Sequence, residues 1–246
     1  MAHRADMNGR AFIDLHCHTR ASFDCLSAPK AVVRAAAERG LTHLAITDHD
    51  RIDGALEARQ LAPAGLTVIV GEEVKTRDGD LICIFLDAAI PPGLSAAETI
   101  AAAREQGGLI GIPHPFDRLR GSLLRDPGME AVGSIVDWVE THNARLIGRG
   151  NERAAEFARE HGLPGVAVSD AHSILEVAVA YTGLDGDPST PAGLLAALVS
   201  AELVPGRASF VIRTWTPVAR FIQRTRGNGR IEPTGGPTPT GSREVP

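Results

Sequence analysis

Short apolar runs alternate along this chain with longer stretches in which apolar residues recur at helical spacing. Short apolar runs bounded by polar or turn residues are typical of buried strands, and longer amphipathic stretches are typical of helices. The pattern predicts strands at residues 12–15, 43–47, 66–70, 81–86, 109–112, 136–139 and 165–168. It predicts helices at residues 27–39, 53–61, 95–107, 151–160 and 190–200.

Local signals mark the ends of two of these helices. We expect Ser27 to be the N-cap of the first helix, with Pro29 in its first turn, where a missing N–H costs little. Gly40 is the expected C′ residue that ends this helix. The run from Ser95 to Glu98 has the form of a capping box, so a second helix begins there.

The order of the predicted elements indicates the fold class. Strands that alternate with helices predict parallel βαβ units, and therefore an α/β sheet or barrel. We predict one domain at residues 11–225, a flexible N-terminus at residues 1–10 and a flexible C-terminal tail at residues 226–246, where Gly, Pro and Thr dominate. Arginines recur before this tail, and we expect them on a solvated surface: Arg213, Arg220, Arg224 and Arg226.

Composition narrows the class of protein only a little. The formal charge of −5 argues against a broad nucleic-acid-binding surface, but a local basic groove stays open. The polar N-terminus lacks the apolar core of a signal peptide, and no apolar run approaches the roughly 18 residues of a membrane span. The three cysteines have no paired spacing, which favours reduced thiols. We therefore expect a soluble cytoplasmic protein with no membrane partner.

The candidate chemistry lies at the ends of the predicted strands. Six of the nine histidines stand at or just after a C-terminal strand end, each near an acid or an amide. At that rim of a parallel barrel, side chains from different strands converge. The segments are Asp14-Leu15-His16-Cys17-His18, Thr47-Asp48-His49-Asp50, Gly71-Glu72-Glu73, Pro113-His114-Pro115, Glu140-Thr141-His142-Asn143 and Ser169-Asp170-Ala171-His172. Each segment alone is a weak signal, and their conjunction indicates a metal site.

Strand geometry predicts which of these side chains point the same way. Because side chains alternate along a strand, His16 and His18 face one side and Cys17 faces the other. Asp48 and His49 are neighbours, so we expect one to be a ligand and the other to be its orienting partner. Imidazole and carboxylate groups without thiolates favour Zn²⁺, Mn²⁺ or Fe over Ca²⁺.

The ordered set of motifs resembles the PHP (polymerase and histidinol phosphatase) superfamily of metal-dependent phosphoesterases. The resemblance covers roughly residues 13–184. It implies a distorted seven-stranded (β/α) TIM-like barrel that holds two or three divalent metal ions (Zn, Mn or Fe). By resemblance, the ligands of one metal are His16, His18, Glu73 and Asp170, and those of the second are Asp24, His49 and His172. Glu73 would bridge two metal ions, and His114 would serve a third metal.

The sequence departs from the family pattern near the third metal. The family often has a histidine at the position of His142 or Asn143, and either residue could be the ligand here; Asn143 is the one we predict. Some members have Gly-His after the hairpin, where this chain has Gly79-Asp80. The choice of Glu73 over Glu72 rests on the family's Gly-x-Glu spacing.

The resemblance implies hydrolysis of a phosphomonoester or phosphodiester by a metal-activated water. The expected catalytic residues are Glu73, Asp48 and His114, and Arg118 and Arg145 are expected to pair with substrate phosphate. The substrate would be a small phosphorylated metabolite, a nucleotide or a nucleic-acid end. The alternatives are an amidohydrolase-like C–N hydrolase, for which neither Lys30 nor Lys75 is well placed as a bridging lysine, and a metal-binding PHP module without catalysis.

Overall fold

The computed structural model describes residues 9–117, 135–209, 212 and 214–231. The strands are β1 (Arg10–Asp14), β2 (His43–Ile46), β3 (Thr67–Lys75), β4 (Asp80–Ile84), β5 (Leu109–Ile112), β6 (Trp138–Asn143), β7 (Gly165–Val168), β8 (Tyr181–Asp185) and β9 (Glu202–Val204). The helices are α1 (Pro29–Glu38), α2 (Asp53–Leu61), α3 (Ala96–Glu105), α4 (Gly150–Glu160), α5 (Pro191–Ala197) and α6 (Trp215–Thr225). All seven predicted strands and all five predicted helices are present; β5, β7 and α2 have the predicted bounds, and the other elements have shifted ends.

The strands form one sheet that curls into a ring. The order is β7-β6-β5-β4-β3-β2-β1-β8-β9; β1, β2 and β3 are parallel, as are β5, β6 and β7, whereas β4 is antiparallel to both of its neighbours. Just past the strand ends, the ring is closed by backbone bonds from Asp170 N to His16 O and from His18 N to Ala171 O, each 2.9 Å long. The predicted fold class, a single α/β domain with a distorted TIM-like barrel, is confirmed.

Two apolar clusters hold the barrel together. One fills the space between the strands and helices α1, α2 and α3, and the other fills the barrel interior, where Trp138 is completely buried. A Cβ atom on Gly111 would lie 2.2 Å from the Trp138 indole, so only glycine leaves room for this ring. Truncating a buried side chain of this size typically costs about 3–5 kcal/mol.

The predicted helix caps have different outcomes. Ser95 and Glu98 form the capping box, so that prediction is confirmed. The assignment of Ser27 as an N-cap is wrong: α1 begins at Pro29, and its N-cap is Ala28, which makes no side-chain capping bond. A proline forces the residue before it into extended conformation, and Ala28 has φ −63° and ψ 140°, so the helix cannot begin earlier.

The C-terminal part of the chain differs from the expected flexible tail. Helix α6 follows β9, and Asn228 beyond it donates to the carbonyl of Ala21 over 3.0 Å. Arg230 lies 3.4 Å from Asp50, so residues 228–230 contact the barrel although they lie in the predicted tail. Residues 1–8 and 232–246 lie outside the described residues, and the flexibility of these ends stays a prediction. Among the helices that the structure describes, none has the length and apolar character to cross a membrane.

Candidate metal centre

A first cluster joins the ends of β1, β3 and β7. Nε2 of His16 lies 3.0 Å from Nε2 of His18 and 3.3 Å from Oε2 of Glu73. Oδ1 of Asp170 lies 3.7 Å from His16 and 3.6 Å from His18. All four side chains are buried, and Cys17 points into the apolar layer under the helices, as strand alternation predicts. The four atoms converge on one point, which is the arrangement of a metal site.

A second cluster lies beside the first. Oδ2 of Asp24 is 3.6 Å from Nε2 of His49 and 3.4 Å from Nε2 of His172. The His18 and His49 rings stack with their centroids 4.7 Å apart, which places the two clusters side by side. Asp24 comes from the loop between β1 and α1, whereas the two histidines follow β2 and β7.

A third cluster contains Asp80, a residue without a role in the sequence-based prediction. His114 lies 2.8 Å from Oε1 of Glu73, and Asp80, at the start of β4, completes a group with both. Asp80 stands where some family members have a histidine, so this departure from the pattern could have suggested it as a carboxylate ligand.

Glu73 lies at the junction of the three clusters. Its Oε1 faces His114, whereas its Oε2 faces His16 and lies 3.1 Å from Nδ1 of His49. The neighbouring Glu72 points the other way and accepts a hydrogen bond from the Ile90 backbone over 2.9 Å. The geometry therefore agrees with the choice of Glu73 rather than Glu72 as the bridging carboxylate.

Two of the cluster residues have a left-handed backbone conformation. His114 has φ 28° and Asp170 has φ 52°, values that residues other than glycine rarely adopt. Such conformations cost on the order of 1–3 kcal/mol each and persist where surrounding contacts fix them. The backbone N–H of His114 donates to Glu140 over 2.7 Å, which supplies one such contact. The chain therefore bends at these positions to bring the side chains inward.

Glu140 orients the first and third clusters, and sequence reasoning gave it no role. Its Oε1 accepts a hydrogen bond from Nδ1 of His16 over 2.7 Å, which leaves Nε2 of this histidine to face the cluster. Its Oε2 accepts from the backbone of His114 and from the Asn143 amide. A ligand histidine commonly donates its other ring N–H to a carboxylate. That rule, applied to the acid at the end of β6, could have identified it.

Asp48 is placed differently from the catalytic role expected of it. Its Oδ1 accepts from Thr19 N over 2.6 Å and from Ser22 Oγ over 2.8 Å, and its Oδ2 accepts from Thr19 Oγ1 over 2.7 Å. The Ser22 hydroxyl in turn lies 3.1 Å from Nδ1 of His18. The Asp48 carboxylate is therefore occupied by the loop, and it orients His18 through Ser22, whereas His49 faces the second cluster.

Asn143 and His142 are also placed differently from what is expected of a ligand of the third metal. The Asn143 amide donates to Glu140 over 2.8 Å and to Oδ2 of Asp170 over 3.0 Å, so it orients carboxylates instead of facing the third cluster. His142 points away and contacts the backbone of Gly206 over 2.7 Å. A β-bulge between Glu140 and His142 shifts the register there, which explains why strand alternation misleads at this position.

Burial and neighbouring charges shift the pKa values of the cluster side chains in both directions. Burial alone would raise the pKa of Glu73, but the imidazoles of His49 and His16 hold the pKa of this carboxyl well below its usual range. Burial, followed by the positive charge of Arg145, lowers the pKa of His172 to about 3. At neutral pH the Glu73 carboxylate is therefore ionised and His172 is neutral, which are the forms that bind metals. Although burial lowers the pKa of His49, the carboxylates of Glu73 and Asp24 raise it to about 9, so a metal ion must displace a proton from this imidazole.

The donor set fits divalent metal ions. Three groups of nitrogen and oxygen atoms each lie within 4.8 Å of one another, and they comprise His16, His18 and Asp170; His18, His49 and His172; and Glu73, Asp80 and His114. Asp24 Oδ1 and His114 Nδ1 are buried with no hydrogen-bond partner among the described residues. The three cysteines lie outside these groups. Nitrogen and oxygen donors without thiolate suit Zn²⁺, Mn²⁺ or Fe.

The clusters open into a cleft of about 1400 Å³ whose walls carry many arginines. These arginines are Arg145, Arg149, Arg153, Arg220, Arg224 and Arg230. Arg220 and Arg224 are exposed, as expected of a solvated surface, and this surface lines the cleft. Arg145 also lines the cleft, where it donates to Thr216 and lies 3.4 Å from Glu176, and its pairing with substrate phosphate stays a prediction. Arg118 lies outside the described residues.

Comparison with known proteins assigns the family. The sequence model of the PHP domain matches residues 14–133, and that of the PHP-associated region matches residues 148–203. The chain belongs to the PHP family. An uncharacterised protein from Methanocaldococcus jannaschii is 36% identical over 142 residues, which are 53% of this chain and 81% of the relative. A 5'-3' exoribonuclease of Haemophilus influenzae is 33% identical over 117 residues, 42% of each chain.

Solved structures share the PHP fold. A two-domain protein from Bacteroides vulgatus that contains a predicted PHP-like metal-dependent phosphoesterase has a TM-score of 0.69 at 19% identity, over 80% of this chain and 65% of that chain. The lesion-specific Endonuclease Q from Pyrococcus furiosus has a TM-score of 0.59 at 18% identity, over 79% of this chain and 57% of that chain. Both are longer than the region they share with this protein.

Proposed function

We propose that this protein is a metal-dependent phosphoesterase that uses a water molecule as its nucleophile. The observation that carries the proposal is the position of Glu73, whose two carboxylate oxygens face histidines of all three clusters. Bound divalent ions would lower the pKa of a water molecule and neutralise the charge on phosphoryl oxygens. No serine or cysteine nucleophile is needed.

The chain's own residues have separable roles in this proposal. Glu73 would bridge two metal ions, His16, His18 and Asp170 would complete the first site, and Asp24, His49 and His172 would complete the second. Asp80 and His114 would serve a third ion with Glu73. Glu140, Asp48 and Asn143 orient these ligands through hydrogen bonds.

The cleft supports an anionic substrate larger than a single phosphate. The protein has a formal charge of −5, yet its cleft walls carry six arginines and Lys75. Among the described residues, neither Arg153 nor Arg224 has a carboxylate partner within 4 Å, so both charges are available to a ligand. The guanidinium of Arg153 lies 4.2 Å above the Phe116 ring, which combines a cation with an aromatic surface. Such surfaces are typical of sites for single-stranded nucleic acid.

We therefore propose that the substrate is a phosphodiester at a nucleic-acid end. The Haemophilus influenzae relative is a 5'-3' exoribonuclease. A solved structure of Endonuclease Q, with 20% identity and a TM-score of 0.60 over 78% of this chain and 57% of that chain, holds a 27-mer duplex with an abasic lesion at the active site. These similarities support a nucleic-acid substrate and leave the choice of RNA or DNA to experiment.

The test is a substrate panel with a matched pair of variants. The panel contains short RNA and DNA strands, a chromogenic phosphomonoester and an amide substrate. The amide tests the alternative of a C–N hydrolase, for which a lysine in the cleft, such as Lys75, would be relevant. Glu73→Gln removes one negative charge from the junction and should lower turnover by at least about a hundredfold, the scale on which catalytic groups usually act. Glu72→Gln is the control, since its side chain can still accept from Ile90 and should change turnover little.

Each outcome of the panel has a defined meaning. Cleavage of strands in preference to the monoester supports the proposed substrate, whereas the reverse preference would replace it with a small phosphorylated metabolite. Equal rates for wild type and Glu73→Gln, both folded and metal-loaded, would place the hydrolysis elsewhere. Tight metal binding with no turnover on any phosphoester would favour a binding module, and turnover on the amide alone would favour a C–N hydrolase.

A further inference from the structure

The loop that presents Asp24 is held from outside by the C-terminal segment. This loop, residues 20–25 between β1 and α1, is here called the Asp24 loop. Nε2 of Gln223, on α6, lies 2.6, 3.0 and 2.7 Å from the carbonyl oxygens of Arg20, Ser22 and Cys25, so its two N–H groups are shared among three acceptors. Gln223 is 3% exposed, so these hydrogen bonds are shielded from water. One buried side chain thus links both ends of the Asp24 loop to a helix about 200 residues away in sequence.

Asn228 strengthens this link just beyond the helix. Its Nδ2 donates to Arg20 O and Ala21 O over 3.2 and 3.0 Å, and its Oδ1 accepts from Arg51 over 2.9 Å. The backbone N–H of Asn228 donates to Gln223 O over 2.9 Å, so the two amide side chains form one unit. We call Gln223 and Asn228 the amide clamp.

The Asp24 side chain depends on its loop for orientation. Its Oδ1 is buried without a hydrogen-bond partner among the described residues, and its Oδ2 faces His49, His172 and Arg220 at 3.3–3.6 Å. The partners of Oδ2 are themselves ligand candidates or, for Arg220, an exposed side chain of α6. In contrast, Glu73 and Asp170 are fixed by β3 and by the backbone that closes the barrel.

We propose that the amide clamp positions Asp24 for the second cluster, so that docking of α6 and metal binding at Asp24, His49 and His172 stabilise each other. The inference rests on the proposed function only in requiring that the second cluster bind a metal ion. Gln223 and Asn228 are positioning residues, because their side-chain amides bind the backbone of the Asp24 loop and so act through that loop. Two such linked equilibria must shift each other by the same factor.

Metal titration of folded, metal-free protein tests this coupling. Mn²⁺ alone is titrated by calorimetry into wild type, Gln223→Ala, Asn228→Ala and Asp24→Ala, and Thr225→Ala is the matched control on an exposed position of the same helix. Removing the clamp leaves carbonyl oxygens of the Asp24 loop without their side-chain donors. We expect one equivalent of Mn²⁺ to bind at least tenfold more weakly in both clamp variants, while the affinity of the remaining equivalents is unchanged. In Thr225→Ala, the affinity of every equivalent should equal that of wild type.

A double variant separates positioning from general loss of stability. If the clamp acts through Asp24, then Asp24→Ala with Gln223→Ala should bind Mn²⁺ no more weakly than Asp24→Ala alone. Tryptic cleavage of α6 at Arg224 gives the reciprocal readout: Mn²⁺ should slow it in wild type but not in Asp24→Ala.

Several results would overturn the inference. These are unchanged Mn²⁺ affinity in both clamp variants, equal weakening of every equivalent, additive losses in the double variant, or cleavage that Mn²⁺ does not slow in wild type. Wild type that binds no Mn²⁺ at all would instead overturn the proposed function together with this inference. Asn228 lies outside the helix, so its variant keeps the test valid if Gln223→Ala does not fold.

Discussion

The carboxylate of Glu140 accepts a hydrogen bond from Nδ1 of His16 over 2.7 Å, although 124 residues separate the two in sequence. Donation through Nδ1 sets the orientation of this imidazole and directs its Nε2 at Glu73 and His18. The same carboxylate also holds the backbone N–H of His114. One buried acid thus orients ligands of two clusters.

We predict that Glu140→Gln weakens metal binding and activity by about ten- to a hundredfold, the usual effect of losing a partner that orients a ligand histidine. A glutamine has one carbonyl oxygen in place of the two carboxylate oxygens. Its NH₂ group would therefore face a donor, either Nδ1 of His16 or the backbone N–H of His114. Metal titration and turnover at saturating metal check the prediction. Glu152→Gln, on the exposed face of α4, is the control. Wild-type metal affinity in Glu140→Gln would contradict the proposed role.

The number of ligand groups predicts the metal content. Protein purified without chelator should carry about two or three divalent ions per chain, which elemental analysis can measure. Because the buried carboxylates and imidazoles are packed against one another, removing the ions should also lower the midpoint of thermal unfolding. Adding Mn²⁺ or Zn²⁺ back should restore it. Fewer than one ion per chain, with no uptake on addition, would contradict the metal-centre assignment.

Asp48 offers a test that separates orientation from direct catalysis. Asp48→Asn places an NH₂ group among the donors of Thr19 and Ser22, so it should destabilise the loop by about 1–3 kcal/mol and weaken metal binding near His18. At saturating metal its turnover should recover to within about tenfold of wild type, because the carboxylate touches no reacting group. A loss of turnover that persists with normal metal affinity would restore the catalytic role expected from the sequence.

Two truncations test where the flexible tail begins. Removing residues 232–246 should leave the thermal midpoint and turnover nearly unchanged, since the sequence there has no apolar pattern for packing. Removing residues 227–246 also deletes Asn228 and Arg230, which contact the Asp24 loop and Asp50. That truncation should lower the midpoint, by roughly 2–4 °C for each kcal/mol lost in a domain of this size. Identical midpoints for the two truncations would return the boundary to residue 226.

The fold and most of the candidate centre could be predicted from the sequence because their signals are local. Alternation along β1 places His16 and His18 on one side and Cys17 on the other, and it does so whatever the rest of the chain does. The capping box at Ser95 is equally local. Family spacing selected Glu73 over Glu72, and the junction of the three clusters agrees with that choice.

Local signals failed where the backbone departed from regular geometry. The β-bulge in β6 turned His142 outward, and Pro29 moved the start of α1 away from Ser27. In the bulge, an extra residue changes which side chains share a face, and the motif itself contains no sign of it. At the helix start, the extended conformation that Pro29 imposes on the residue before it outweighs the capping preference of serine.

The sequence by itself determined the α/β class and the common side of His16 and His18, because alternation and capping act between residues that are close along the chain. The family resemblance added the barrel form and the choice of Glu73 over Glu72. Only the tertiary structure decided the partners of these ligands. Glu140 beside His16, Asp80 beside His114 and Gln223 beneath the Asp24 loop meet across 124, 34 and up to 203 residues. Such contacts depend on how the ring closes and where α6 docks, and no local pattern encodes that geometry.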